Sequence, residues 1–537
     1  MKNRFNINST AFIFLTSAYF AFILNVKFWR FAFEKISIDN AGTAFFVMTL
    51  PFFIFVPLFW FFCLIVVPRI AKPAVILLLF LSAASSYALS NLGVVINSDM
   101  IRNIAETNVR ETADLFTWNA FFYVLAAGGL PAAAVCMTRI EFSPFKKELR
   151  RRLTFFLTGL AVLGVFGAVS YKEYASFGRN NRQVRHYINT FNYIYAVARY
   201  YQRSRSADRK FVVLDESPRI KPRKSPEKRV VVLVVGETAR AQNFSLYGYK
   251  KETNPLLAQN KEIIVFKDVS SCGTATAVSL PCMFSVLPKK DFDVTDANFT
   301  QNLLDIAQSA GYDVEWKDND DGCKKVCNRV KTIDAKTGNK KPFCFGDYCH
   351  DGILIDGLDE RLASVEKDTL IVLHAMGSHG PTYYKRYPDA FKRFNPTCDT
   401  ANLQDCPREQ IVNTYDNTIA YTDHVIASVI EVLKRHPELQ SSMLYMSDHG
   451  ESLGENNIYL HGLPYAFAPD YQKKVPMILW LSDSLKQSAA LNASCLKQKA
   501  EKESFSHDNY FHSVLRLLGV QTTAYDAKLD VFDGCGV

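Results

Sequence analysis

Five stretches in the first third of this chain are apolar, nearly free of charge and long, and they limit what it can fold into more than any other feature. They lie near Ala11–Val26, Ala44–Val67, Pro73–Val95, Trp118–Met137 and Leu153–Tyr171. As a helix, about 20 such residues cover the hydrocarbon core of a bilayer, so the segments read as five membrane spans. Phe, Trp and Tyr are dense in them and near their ends, as in an interfacial belt. No small-residue cleavage site follows the first segment and four more spans come after it, so it reads as an anchor, not a signal peptide.

Charge in the short connections sets the orientation. Lys2 and Arg4 precede the first span, Arg69 and Lys72 lie in the second connection, and Arg139, Lys146, Lys147, Arg150, Arg151 and Arg152 crowd the fourth. By the positive-inside rule these are cytoplasmic. An odd number of spans then leaves everything after about residue 172 outside the inner membrane, in the periplasm. Cysteine usage agrees. Of twelve cysteines, Cys63 and Cys136 fall inside spans and the other ten all follow residue 270. An even number in an exported domain reads as disulfides. Proximity suggests Cys272–Cys282, Cys323–Cys327, Cys344–Cys349, Cys398–Cys406 and Cys495–Cys535. A zinc ribbon from Cys323, Cys327, Cys344 and Cys349 has looser spacing than such sites use, and its thiols would oxidise there.

The organisation expected is a transmembrane domain over residues 1–171, an amphipathic bridging linker over 172–228 and a periplasmic catalytic domain over 229–537. The linker interleaves aromatics with bases, including Arg185, Tyr187, Phe191, Tyr195 and Arg199, as a helix lying on a lipid surface would. The last region alternates short β-branched runs with helical stretches. Candidate strands are Val230–Val235, Ile263–Phe266, Asp313–Trp316, Thr369–His374, Met443–Ser447 and Met477–Leu481, with helices over Thr300–Ala310, Gln410–Arg435 and His507–Leu518. That alternation predicts a mainly parallel sheet covered on both faces.

Two of these strands run straight into metal-binding residue types, Gly236-Glu237-Thr238 and Asp448-His449-Gly450-Glu451. Open α/β sheets collect ligands at the carboxyl ends of their strands, so Glu237, Asp448 and His449 can meet there, and their oxygen and imidazole donors suit Zn²⁺. Thr276 lies in a small-residue turn leading into a helix, where a hydroxyl beside a metal becomes a nucleophile. Ordinary helix capping is the alternative for that threonine. His374 and His379 flank a glycine-rich turn after a strand, and His461 precedes Gly462. His186, His350, His424, His436, His507 and His512 lack such a setting and read as structural.

Gly236-Glu237-Thr238, the Cys272-to-Cys282 segment, Gly377-Ser378-His379-Gly380-Pro381-Thr382 and Ser447-Asp448-His449-Gly450-Glu451-Ser452 together resemble the lipid A phosphoethanolamine transferases, which include the mobile colistin-resistance enzymes. The resemblance covers nearly the whole chain. It implies a multi-pass α-helical membrane domain joined to an alkaline-phosphatase-like (sulfatase-like) α/β domain. By matching position it implies zinc ligands Glu237, Thr276, Asp448 and His449, with Thr276 also the nucleophile that carries phosphoethanolamine. His379 and His461 match positions that bind the transferred phosphate or a second zinc, Lys324 matches a lysine that contacts substrate, and His374 matches a further histidine lining the site. Some members have serine three positions before that lysine, where this chain has Asp321. Asn103, Thr107 and Glu111 recur at intervals of four, on one helix face, and match positions that help bind the ethanolamine-bearing substrate.

The resemblance thus implies zinc-dependent transfer of phosphoethanolamine from phosphatidylethanolamine to lipid A phosphate through a phosphothreonine, by a monomeric inner-membrane enzyme, with polymyxin resistance as the consequence. The rivals are the same transfer to a core sugar, glucan or protein glycan, phosphoglycerol transfer, and a non-enzymatic sensor or transporter. A transporter would place ionisable groups within its spans, and these offer almost none. No Cys-x-Pro-x-Arg or Ser-x-Pro-x-Arg surrounds Thr276, which argues against a sulfatase. The net charge of +9 fits contact with anionic lipid, and the periplasmic placement excludes nucleic acid as a partner.

Overall fold

In the computed structural model, described for residues 5–36, 38, 40–106, 117–204, 210–223, 225–338, 341–346 and 348–536, contacts divide the chain into two units. One is built on residues up to Ser98 and from 117 to Arg199, the other on residues 99–106 and from Tyr200 onward.

Among the described residues, four helices of the first unit are long and apolar enough to cross a membrane: Ala41–Ile65, Ala71–Leu92, Trp118–Met137 and Phe145–Val169. The first expected span falls in a bent pair, Ser9–Ile23 and Val26–Lys35, turned by 55°, which passes the same test when taken together and as one span makes five. Asn25 stands at the bend. Its buried amide donates to the Phe20 carbonyl at 2.7 Å and accepts from the Asn189 backbone at 2.8 Å, which fixes the break by satisfying polar groups the helix leaves open. The last span starts earlier than its apolar stretch, so Lys146, Lys147 and Arg150 to Arg152 form its first turns. Tyr174, Phe177, Tyr187 and Phe191, from the aromatic-basic segment, pack against the apolar cluster of these helices.

The second unit is organised by a seven-stranded sheet: β1 (Arg229–Gly236), β2 (Ile264–Phe266), β3 (Asp313–Asp318), β4 (Lys331–Asp334), β5 (Thr369–His374), β6 (Gln440–Ser447) and β7 (Met477–Leu481). Their order across the sheet is β2-β7-β6-β1-β5-β3-β4. The four pairings from β6 to β4 are parallel, and β7 and β2 add antiparallel pairs at one edge. Every residue of β1, β5 and β6 is buried, which is why Val230–Val235, Leu370–Leu373 and Met443–Met446 within them read as continuous apolar runs: a parallel sheet covered on both faces has no polar side. Val231, Leu233 and Val235 join one core with α1 (Thr276–Met283), α2 (Leu303–Ser309) and α4 (Asp508–Leu518). The 27-residue α3 (Arg408–Lys434) buries Ile411, Tyr415, Ile419, Ile426, Val429 and Ile430.

Five disulfides join the sequence-neighbour pairs Cys272–Cys282, Cys323–Cys327, Cys344–Cys349, Cys398–Cys406 and Cys495–Cys535.

Candidate active site

Parallel register brings four strand ends level. Ser447 of β6 lies opposite Gly236 of β1, Val235 of β1 opposite His374 of β5, and His374 opposite Asp318 of β3. The residues next in sequence therefore emerge side by side at the carboxyl edge. Glu237 and Asp448, 211 positions apart in sequence, meet because β1 and β6 are neighbours. Gly377 lets the turn after β5 pack against the Glu237 backbone: its φ is +53°, and a Cβ there would lie 2.4 Å from the Glu237 carbonyl oxygen. The Asp351 carboxylate holds that turn by accepting from the Met376 and Gly377 amides, each at 2.8 Å.

Glu237, Asp448 and His449 are fully buried, and each offers one donor atom within 4.8 Å of the others. Thr276 opens α1 beside them. Its Oγ1 lies 3.2 and 3.1 Å from the two Glu237 carboxylate oxygens and 3.3 Å from His449 Nε2. His449 Nδ1 donates to the Gly450 carbonyl at 2.9 Å, so Nε2 is the nitrogen presented to Glu237, Asp448 and Thr276. Asp448 accepts from the Thr238 amide at 3.1 Å, the His449 amide at 2.7 Å and Ser279 Oγ at 3.3 Å. The His461 ring centroid is 4.4 Å from that of His449 and 5.7 Å from that of His379. His461 Nδ1 faces Glu451 Oε2 at 3.3 Å. All four residues expected as ligands thus come together, with His379 and His461 alongside.

The electrostatics test whether a cation belongs here. Burial pushes the Asp448 carboxyl up to about 7, with the neighbouring Glu237 charge adding to the effect. Burial opposes charge on His449, but Asp448 and Glu237 outweigh it and raise the imidazole to about 10. Glu237 is driven well below its ordinary range by the histidines, against the cost of its own burial. Left alone, Asp448 and His449 hold protons more tightly than free side chains do, while Glu237 stays ionised. Buried carboxylates and an imidazole packed this closely are the donor set of a divalent cation.

His374 stands on the far side of Glu237. Its Nδ1 is 2.6 Å from Asp318 Oδ1 and its Nε2 3.6 Å from Asp320 Oδ2. Burial opposes its charge, yet Asp318, Asp320 and Glu237 together raise it to about 9. Lys324, in the loop after β3, has φ +45° and donates to the Asp321 carbonyl at 3.2 Å. Asn103 lies on the helix Ser98–Glu106, whose Met100 reaches Gly462: a Cβ on that glycine, at φ +86°, would meet Met100 Cε at 2.6 Å. Thr107 and Glu111 lie outside the described residues.

Sequence reasoning passed over Asp318 and Asp320, although they end a strand in the same way as Glu237 and Asp448. It also set aside His507, which is buried under the site. Nδ1 of that ring accepts from the Cys272 amide at 3.1 Å, and Nε2 donates to the Ser447 carbonyl at 3.1 Å. No motif surrounds it, and only tertiary contact shows its role.

Membrane-spanning helices joined to a largely parallel sheet, with a buried carboxylate–imidazole cluster beside a helix-opening hydroxyl, define a membrane-anchored enzyme with a sulfatase-type domain. A family model described as Sulfatase matches residues 229–520, and one described as Phosphoethanolamine transferase EptA/EptB matches residues 54–205. Phosphoethanolamine transferase EptA of Escherichia coli K12 is 39% identical over 540 residues, covering 100% of this chain and 98% of its own. Phosphatidylethanolamine transferase Mcr-2 from Escherichia coli is 34% identical over 531 residues, 96% of each chain. The solved integral membrane protein lipooligosaccharide phosphoethanolamine transferase A of Neisseria meningitidis superposes with a TM-score of 0.96 at 39% identity, over 99% of both chains. The chain belongs to the lipid A phosphoethanolamine transferase family. It is a phosphoethanolamine transferase of the inner membrane with its catalytic domain in the periplasm.

Proposed function

We propose that this enzyme moves phosphoethanolamine from phosphatidylethanolamine to a phosphate of lipid A, with Thr276 as the nucleophile. The observation that carries the reading is Thr276 Oγ1, held 3.1 to 3.3 Å from Glu237 and His449 at the opening of α1. Glu237, Thr276, Asp448 and His449 would hold Zn²⁺, which when bound supplies Lewis-acid stabilisation of charge on the threonine oxygen and on the transferred phosphoryl group.

His379 or His461 takes the proton of the Thr276 hydroxyl as Oγ1 attacks the phosphorus of the donor; a P–O bond to threonine forms, the P–O bond to diacylglycerol breaks, and the same histidine returns the proton to the departing oxygen. A lipid A phosphate oxygen then attacks the phosphothreonine in line, the P–O bond to threonine breaks, and the released Oγ1 takes up the proton that the acceptor phosphate gives up, which regenerates Thr276. Amides of the first turn of α1 favour the anionic phosphoryl oxygens. Lys324 contributes charge from the loop after β3, and Asn103, Thr107 and Glu111 receive the ethanolamine end, Glu111 as the counter-ion of its ammonium. Capping an anionic phosphate with an ammonium weakens attraction of cationic polymyxins to the outer surface, so resistance to them follows.

Mass spectrometry of lipid A from cells expressing the native chain or Thr276→Ala tests this. A phosphoethanolamine increment that depends on Thr276, with the same increment trapped on the protein after incubation with donor alone, is the expected result. An increment that persists in Thr276→Ala would overturn the nucleophile, and an unmodified lipid A with a loaded threonine would move the acceptor elsewhere.

A further inference from the structure

We propose that Glu237, Asp320 and His374 form a second cation site, which takes a divalent transition-metal ion of the Zn²⁺ kind alongside the one expected at Glu237, Thr276, Asp448 and His449. The three residues are 0%, 3% and 0% exposed, and each offers a donor atom within 4.8 Å of the others. Two carboxylates and one imidazole are a donor set such an ion accepts.

Proximity of acids does not make a site, and the second observation is the orientation of His374. Asp318 accepts from the Gly322 amide at 3.0 Å and from Trp316 Nε1 at 3.2 Å. Those bonds fix its carboxylate as an acceptor facing His374 Nδ1, 2.6 Å away. The Nδ1 proton is therefore committed, and the ring presents Nε2 towards Asp320. There the bonding stops: Nε2 is fully buried and has no hydrogen-bond partner among the described residues, because 3.6 Å to Asp320 Oδ2 is beyond hydrogen-bond range. A carboxylate on one ring nitrogen and an unfilled position at the other is the arrangement that supports metal-ligating histidines. The His449 ring is set the same way, with Gly450 holding its Nδ1 and its Nε2 turned to the acids.

Asp320 reaches this place because Asn319 is tied to the end of β5, its amide donating to the His374 carbonyl at 2.9 Å. Its side-chain amide also donates to Asp351 Oδ1 at 2.8 Å, the carboxylate that holds the Gly377 turn. Glu237 is common to both clusters, so the second ion would stand beside the first and bring further positive charge to a phosphodiester being transferred. Paired cations of this sort stabilise attacking and departing oxygens together.

The competing occupant is a proton on Nε2, leaving a plain Asp320–His374 ion pair. Zinc stoichiometry separates the two. Full-length protein in detergent is stripped with chelator, dialysed against a buffer of fixed free Zn²⁺ and assayed by inductively coupled plasma mass spectrometry, with far-UV circular dichroism as the check on folding. Two equivalents are expected in the native chain, and one in each of Asp320→Asn and His374→Gln. This rests on Glu237 also serving the first site, so Asp448→Asn is measured in parallel and is expected to keep the other equivalent. One equivalent in the native chain, lost in Asp448→Asn and kept in Asp320→Asn, overturns the second site and leaves the first standing. Two equivalents retained by both Asp320→Asn and His374→Gln also overturn it.

Discussion

His507 Nε2 lies 3.1 Å from the carbonyl oxygen of Ser447, the residue that ends β6 immediately before Asp448 and His449. The same ring accepts the Cys272 amide through Nδ1, and so ties the loop that carries Thr276 to the strand end that carries two of the expected ligands. The arrangement requires a neutral imidazole. Burial holds its pKa down at about 3, whereas in the unfolded chain it takes a proton near about 6.5.

The sign of the pH dependence follows. Between those two values the unfolded state binds more protons than the folded state, so the His507 contribution to stability is complete above about pH 6.5 and declines as pH falls towards 3. The slope is about 1.4 kcal/mol per pH unit. In His507→Gln, whose amide can both accept from Cys272 and donate to Ser447, this part of the acid destabilisation is expected to vanish. Urea denaturation of the two proteins at pH 7 and pH 5 measures it. Parallel losses in both would assign the acid sensitivity to other groups.

Gly377→Ala is expected to impair both stability and transfer. A Cβ there meets the Glu237 carbonyl at 2.4 Å in a left-handed conformation, and strain of that kind costs about 1–3 kcal/mol. Because the displaced atom belongs to Glu237, zinc affinity should fall along with the melting temperature. Gly248→Ala, at φ +90° but with open space around its Cβ, separates conformational strain from displacement: it should lose stability and keep its zinc.

The Cys272–Cys282 bridge closes a ten-residue separation around Thr276, which corresponds to about 2–3 kcal/mol of chain entropy. Replacing both cysteines by serine is expected to lower the melting temperature and to reduce turnover more than removal of Cys495–Cys535, which lies away from the nucleophile in sequence. Equal loss of turnover from the two double variants would show that the bridge around Thr276 serves only general stability.

Chelation should destabilise the protein, since a ligand that binds only the folded state adds about 4 kcal/mol at a thousandfold excess over its dissociation constant. Addition of Zn²⁺ to the chelator-treated enzyme is expected to restore the melting temperature, and Asp448→Asn should show a smaller recovery. An unchanged melting temperature on stripping would count against a tightly held ion.

Membrane spans and core strands were legible because burial leaves a direct mark on sequence. Val230 to Val235 is apolar at every position because both faces of β1 are covered. The strand Lys331–Asp334 escaped because it is short, at the sheet edge and mostly exposed, so its sequence Lys-Thr-Ile-Asp carries no apolar run. The bend at Asn25 escaped because a single polar residue after an apolar stretch looks the same whether the helix ends or turns. Asp318 and Asp320 sit in an acidic, glycine-containing stretch that reads as an ordinary turn, and His507 stands alone.

The sequence by itself determined where the chain meets the bilayer, which side carries the disulfides, and which side chains have the chemistry for a metal and a nucleophile. These properties depend on local composition and on residue type. The tertiary structure decided which of those side chains share one centre. Parallel register sets β6, β1, β5 and β3 level at their carboxyl ends, and so brings Glu237, Asp448, His374 and Asp320 together from positions far apart in the chain. It also decided which nitrogen His374 presents, because the partner of the other nitrogen, Asp318, comes from an adjacent strand.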